Sequence, residues 1–365
     1  MRVVLIGNFA GMQCFAQHAQ QPGESMQINV IRTLEEMNSL QGEWNALVKQ
    51  GASDVPFLRH EYLSTWWQTL GGGEWNEADL FVVTGRLADG SLAGIAPLFF
   101  SPNLSGEPAL LLLGSIEISD YLDLIVPTQH ISTFVNDLFT YLAGVNSPAW
   151  KVLDWYNFID SSPTLPALQE AAARSGWTYT QEPLQHCPYI PIPGDWETYL
   201  ASIDKKQRHE IRRKMRRAET EFEPTHWYIV QDEAGIVSGI EDFMSMMAQD
   251  PAKNNFLTEA MRTQFRRSAL AAFRAGWLQL SFLEIGGEKA AGYLNFDYNN
   301  NLWIYNSALN FAYREYSPGW VLLGYLLQWA NENKRQHFDF MRGDEDYKYR
   351  FGAVDRRVER VIIRR

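Results

Sequence analysis

Residues 313–350 read YREYSPGWVLLGYLLQWANENKRQHFDFMRGDEDYKYR, and this stretch decides the fold. Ser317 is a preferred residue for capping a helix start, and Pro318 has the fixed φ that suits the first helical position. Gly319 removes a side chain where a ligand would approach the backbone, and the first-turn amides of Trp320 and Val321 have no intrahelical acceptor. A helix start of this kind attracts phosphate. The spacing predicts a helix over 319–333 and a strand over 337–341. After them comes the run RGDEDYK, rich in ionisable groups.

Working outward, the same half predicts two hairpins. WLQLSFLEI (277–285) and KAAGYLNFDY (289–298) flank Gly286-Gly287, and LWIYNSAL (302–309) follows an Asn299-Asn300-Asn301 turn. Upstream lie a basic helix expected from Tyr199 to about Glu221, a strand near 227–230, and helices near 240–249 and 258–275. The first half has a similar rhythm, with LFVVTGRL (80–87) and SLAGIAPLFF (91–100) around Asp89-Gly90. Each half later runs from a helix into a strand holding an Asp-aromatic pair, at Asp154 in KVLDWYNF and at Asp339 in QHFDFMRG. These parallels suggest a duplication. The Pro-rich run CPYIPIPGDW (187–196) puts the boundary near 195, giving lobes 26–195 and 196–365. Residues 1–25 make a poor secretory signal and read as a disordered extension or as the product of an upstream start, with the first strand and helix expected after Met26.

The chain has 365 residues, 46% of them hydrophobic, enough for two cores. Its apolar runs are too short to span a bilayer. Cys14 and Cys187 are the only cysteines, which fits a reducing cytoplasm and excludes a disulfide framework. No metal-ligand spacing occurs, so no metal is expected. A net charge of −11 opposes DNA binding. The segment KKQRHEIRRKMRR (205–217) is an exception, with eight Lys or Arg against one Glu. It reads as a solvated surface helix or as a platform for phosphates of a nucleotide-linked substrate, a lipid-linked substrate or tRNA.

A sheet of hairpins, then a splayed strand, a phosphate-binding helix start and one more strand resembles the GNAT acyltransferase fold. SPGWVLLGYLLQWA (317–330) followed by FDFMRGDEDYKYRFGA (338–353) is similar to the CelD-like branch of that superfamily, associated with cellulose and other exopolysaccharide biosynthesis and related to the FemABX transferases. FLRHEYLSTWW (57–67) and SDYLDLIVP (119–127) resemble the first half of such proteins. The resemblance implies an α/β fold of two tandem GNAT-like lobes, with mostly antiparallel sheets covered by helices. The second lobe would bind acyl-CoA, acetyl-CoA for example, and the first would supply substrate surface. The diphosphate would rest on Ser317, Gly319, Trp320 and Val321, with Arg314 as an added charge. The sequence departs from the usual loop in having Ser317-Pro318 where a Gly stands.

Acyl transfer from a thioester needs a neutral amine or activated hydroxyl, donors for the oxyanion and an acid for the leaving thiolate. No nucleophilic triad is evident. Glu345 is the candidate base and Tyr305 or Tyr347 the acid, and Lys348 and Arg342 are partners for an anionic substrate group. Asp120, Tyr121, Asp123 and Asp339 are candidates for binding acceptor groups. Trp66, Trp67, Trp155, Trp303 and Tyr121 are candidates for stacking on sugars, set against the plainer reading that they form core. The charged run itself also reads as a solvated turn over Phe340, Tyr347, Tyr349 and Phe351. The expected function is acyl-CoA-dependent acyl transfer, N-acyl by preference, to an envelope sugar or polysaccharide precursor, with exopolysaccharide assembly proteins as partners. The alternatives are aminoacyl transfer from tRNA and a non-catalytic carbohydrate-binding scaffold.

Overall fold

A computed structural model describes residues 25–221 and 224–365, so the extension expected over 1–25 lies, but for Ser25, outside the described residues. Strands run in chain order as β1 (Gln27–Ile31), β2 (Asp79–Arg86), β3 (Leu92–Pro102), β4 (Pro108–Leu112), β5 (Val152–Ile159), β6 (Thr178–His186) and β7 (Tyr189–Pro191). They continue as β8 (Thr225–Ile229), β9 (Leu278–Ile285), β10 (Glu288–Tyr298), β11 (Asn301–Leu309), β12 (His337–Asp339) and β13 (Arg357–Arg364). Two mixed sheets result, in the orders β1-β2-β3-β4-β5-β13-β6 and β7-β12-β11-β10-β9-β8, and helices cover both.

The turns explain the hairpins. Gly286 and Gly287 have φ of 63° and 85°, and Asn299 and Asn300 have φ of 49° and 58°, the left-handed geometry that a two-residue hairpin loop demands. Both sheets then repeat one plan. β4 pairs in parallel with β5 after the helix Ile131–Ala143, and β11 pairs in parallel with β12 after the helix Pro318–Glu332. Asp154 on β5 and Asp339 on β12 are both buried, and each meets an arginine from the C-terminal segment, Arg360 and Arg356 respectively. The two sheets share this local plan of a parallel crossover and a buried Asp–Arg pair.

The halves are not separate in the chain. β7 lies before residue 195 yet pairs with β12, while β13 crosses back to lie between β5 and β6. No single cut near 195 divides the sheets. The long basic helix expected from Tyr199 also breaks, into Trp196–Ser202 and Lys205–Thr220, because Asp204 turns to accept from the amides of Lys206 and Gln207. An aromatic seam joins the lobes. Phe57 of the first lobe packs against Phe296 and Tyr305 of the second, and the Trp277 indole donates to Glu61 at 3.0 Å. Among the described residues no helix is long and apolar enough to cross a membrane.

Candidate functional site

β11 and β12 pair only where Asn301, Leu302 and Trp303 face His337, Phe338 and Asp339. Beyond that point the strands part. The β10–β11 register shifts so that Leu294 faces Asn306 while Asn295 faces Ile304, leaving Tyr305 as the extra residue of a bulge. From the end of β11 a short 3₁₀ segment, Phe311–Tyr316, delivers the chain to the Pro318 helix.

That helix start differs from the sequence expectation in two ways. Ser317 has left-handed backbone angles (φ 53°, ψ 48°) and makes no side-chain cap, since a capping hydroxyl reaches the first-turn amides from an extended backbone. The amide of Val321 is engaged by the Ser317 carbonyl at 3.1 Å and is not free for a ligand. The amides of Gly319 and Trp320 remain without a backbone or side-chain acceptor among the described residues, and both residues are half-exposed. Arg314 lies on the preceding 3₁₀ segment, exposed, its guanidinium 3.6 Å above the Phe311 ring.

The charged run after β12 folds around Lys348. This ammonium is buried and donates to the carbonyls of Arg342 and Gly343, both at 3.0 Å, and of Phe340 at 3.3 Å. Glu345 sits 2.9 Å from it with its own carboxylate largely exposed. Gly343 has φ of 119°, and a Cβ there would lie 2.4 Å from Glu345 Oε2, so only glycine lets Glu345 fold back. The Tyr347 ring packs edge-on against Phe340, and burial raises its phenol well above the usual value. Lys348→Met should leave three carbonyls without their donor. An unsatisfied buried polar group costs about 1–3 kcal/mol, so a urea titration should show a loss of that size or more.

Arg342 reaches the first lobe. It pairs with Asp120 and donates to the carbonyls of Ile116 and Glu117. Tyr305 donates to Ile118 O at 2.9 Å, and burial raises its phenol well above normal. Beside these contacts opens a cavity of about 340 Å³ lined by Glu117, Asp120, Lys253, Phe265, Tyr305 and Asn306 among others. Asp120, Tyr305 and Arg342 thus come together, with Glu345 close enough for its charge to act on Lys253.

Three other candidates face elsewhere. Asp123 accepts from Ser53 at 2.5 Å and Ser162 at 2.6 Å inside the first lobe; it does not line the cavity. Tyr121 donates to Asp339 at 2.8 Å, and Arg356 binds both, making a buried tie between lobes. Trp66, Trp155, Trp303 and Tyr121 are core residues and offer no face to a sugar, and Trp67 is half-buried against Phe99.

Sequence reading missed Lys253. It stands on the six-residue helix Pro251–Phe256, where its ammonium bonds Asn306 Oδ1 at 3.2 Å and the Ser307 carbonyl, and burial pulls it below the usual lysine range. Nothing local marks it, because its partners lie on β11.

Residues 205–349 match the family model described as the acetyltransferase (GNAT) domain, so the second half carries a GNAT-type domain. No curated protein matches the chain in sequence. Among solved structures, FemX is similar with a TM-score of 0.63 at 13% identity, over 92% of this chain and 97% of that one. The C-terminal domain of a protein named as a lysylphosphatidylglycerol synthetase from Agrobacterium fabrum gives 0.53 at 9% identity, over 91% and 92%. L-PGS from Bacillus licheniformis gives 0.53 at 11%, over 89% and 91%. At such identities the likeness is one of fold.

Proposed function

We propose that the chain is an acyl-CoA-dependent acyltransferase acting on an amine of an envelope sugar or polysaccharide precursor. The observation that carries this reading is the pair of unengaged amides, Gly319 and Trp320, at a helix start fed by a strand that has parted from its neighbour. The diphosphate of the donor rests on those amides, and the thioester arm runs along the opening between β11 and β12. The acceptor enters the cavity beside Tyr305, where Glu117 and Asp120 suit an amine and Phe265 suits an apolar face.

In this scheme the amine nitrogen attacks the thioester carbonyl, a C–N bond forms and the C–S bond breaks. Glu345 takes the ammonium proton. Tyr347, whose hydroxyl has no hydrogen-bond partner among the described residues, gives its proton to the thiolate as the C–S bond breaks and regains one from solvent after the thiol departs. Lys348 holds the loop that presents both. Tyr305 serves less well as the acid because its hydroxyl is engaged by Ile118.

A second reading is aminoacyl transfer from tRNA. It is favoured by the basic helix Lys205–Thr220 and by the fold shared with FemX and the lysylphosphatidylglycerol synthetase domain. Thermal unfolding separates the readings. Acetyl-CoA at a hundred times its dissociation constant should add about 2.7 kcal/mol of stability. Stabilisation by aminoacyl-tRNA alone would support the second reading, and no response to either would leave a non-catalytic scaffold.

A further inference from the structure

The face of the Pro318 helix start that meets the basic helix holds a second concavity, of about 680 Å³, apart from the cavity at Tyr305. Lys206, His209, Arg213, Lys214, Trp320 and Arg350 line it together with Gln207 and Glu210. Four formal cations stand here against one lining carboxylate, on a chain whose net charge is −11. Glu210 engages Arg213 at 2.8 Å and Lys214 at 3.6 Å, and Asp346 engages Arg350. Lys206 has no carboxylate partner among the described residues.

We infer that this basic cup binds a phosphate monoester on the nucleotide head of the donor, distinct from the diphosphate held by Gly319 and Trp320. The inference rests on the acyl-CoA reading and extends it. Trp320 supplies an amide to the diphosphate position and its side chain to the cup, so the two anion positions are neighbours, as a diphosphate and a phosphate on the adjoining ribose are. The cup is suited to phosphate more than to a stacked base. The Trp320 ring already has the Lys214 ammonium 4.4 Å from its centroid and the Phe351 ring at 4.5 Å. Its indole N–H is buried with no acceptor. The Lys214 side chain is only 19% exposed, and burial lowers its pKa despite Glu210, an imbalance that an incoming phosphate would relieve. The basic helix precedes β8 in the chain and contributes no strand to the splayed pair, so the cup is a device separate from the helix-start amides.

The test compares CoA with dephospho-CoA, which lacks only the ribose phosphate, by calorimetry on the full chain. Wild type should bind CoA at least ten-fold more tightly. In the double variant Lys206→Gln, Arg213→Gln, both exposed positions, CoA affinity should fall to that of dephospho-CoA, whose own affinity should not change. Equal binding of the two ligands by wild type overturns the inference while leaving the donor reading intact. So does a variant that weakens both alike. Failure of both ligands to bind wild type overturns the donor reading and this inference with it. If the variant loses tRNA binding but keeps its preference for CoA, the cup belongs to an RNA backbone and the inference falls.

Discussion

Gly319→Glu is expected to abolish donor binding while leaving the fold intact. A carboxylate in the first turn is favourable for the helix, because the positive end of the helix dipole that draws a phosphate also draws the new side chain. The intramolecular carboxylate then competes with the ligand and repels it. The Cβ would come within 2.7 Å of Leu309 Cδ2, the flexible end of a side chain, so accommodation is cheap. Acetyl-CoA affinity should drop by at least about 100-fold, which corresponds to about 2.7 kcal/mol, with circular dichroism unchanged. Gly319→Ala should bind within a few-fold of wild type. Undiminished binding by the Glu variant would place the donor phosphates elsewhere.

Arg356→Met is expected to give the largest loss of stability. Arg356 pairs with Asp339, donates to the Tyr121 hydroxyl at 2.9 Å, and lies 4.8 Å from the centroids of both the Tyr121 and Tyr189 rings. Removing one member of a buried pair leaves an uncompensated charge, at roughly 3–5 kcal/mol. The loss should depend on pH in a definite direction. Burial already raises the Asp339 carboxyl above its ordinary value, with Arg356 opposing that rise. Without the arginine the folded-state pKa climbs further, so a protonated Asp339 favours the folded state below the ordinary carboxylate pKa. That contribution disappears as pH rises through the folded value. The deficit against wild type, measured by urea denaturation, should therefore be smallest near pH 4 and widen toward neutrality. A deficit independent of pH would show that Asp339 is not the group left exposed to the loss.

The parts of the fold that were legible in the sequence are those set by neighbouring residues. Gly286-Gly287 and Asn299-Asn300 announce hairpins because few other residues tolerate a positive φ, and Pro318-Gly319 announces a helix start. The left-handed Ser317 was not legible, since a serine before a proline is equally a capping residue. Nor was the strand Arg357–Arg364 legible, since the two partners that define it, β5 and β6, lie far back in the first half of the chain. The aromatic content was visible, whereas its burial was decided by packing between lobes, as with Phe57 against Phe296. The candidate site divides in the same way. RGDEDYK showed its charges, but the burial of Lys348 beneath three carbonyls depends on how the loop closes. Lys253 became visible only when folding brought the Pro251 helix against β11.

The crossing of β13 governs how the molecule is assembled. While the ribosome is still making the second half, β5 presents an open edge and β6, whose only neighbour in the sheet is β13, has no strand to pair with. The amino-terminal half must wait for Arg357–Arg364 to fill the gap between them, leaving a sticky margin and an unpaired strand in the meantime. A protease nick near residue 195 would not free two bodies, because each fragment would keep a strand belonging to the other.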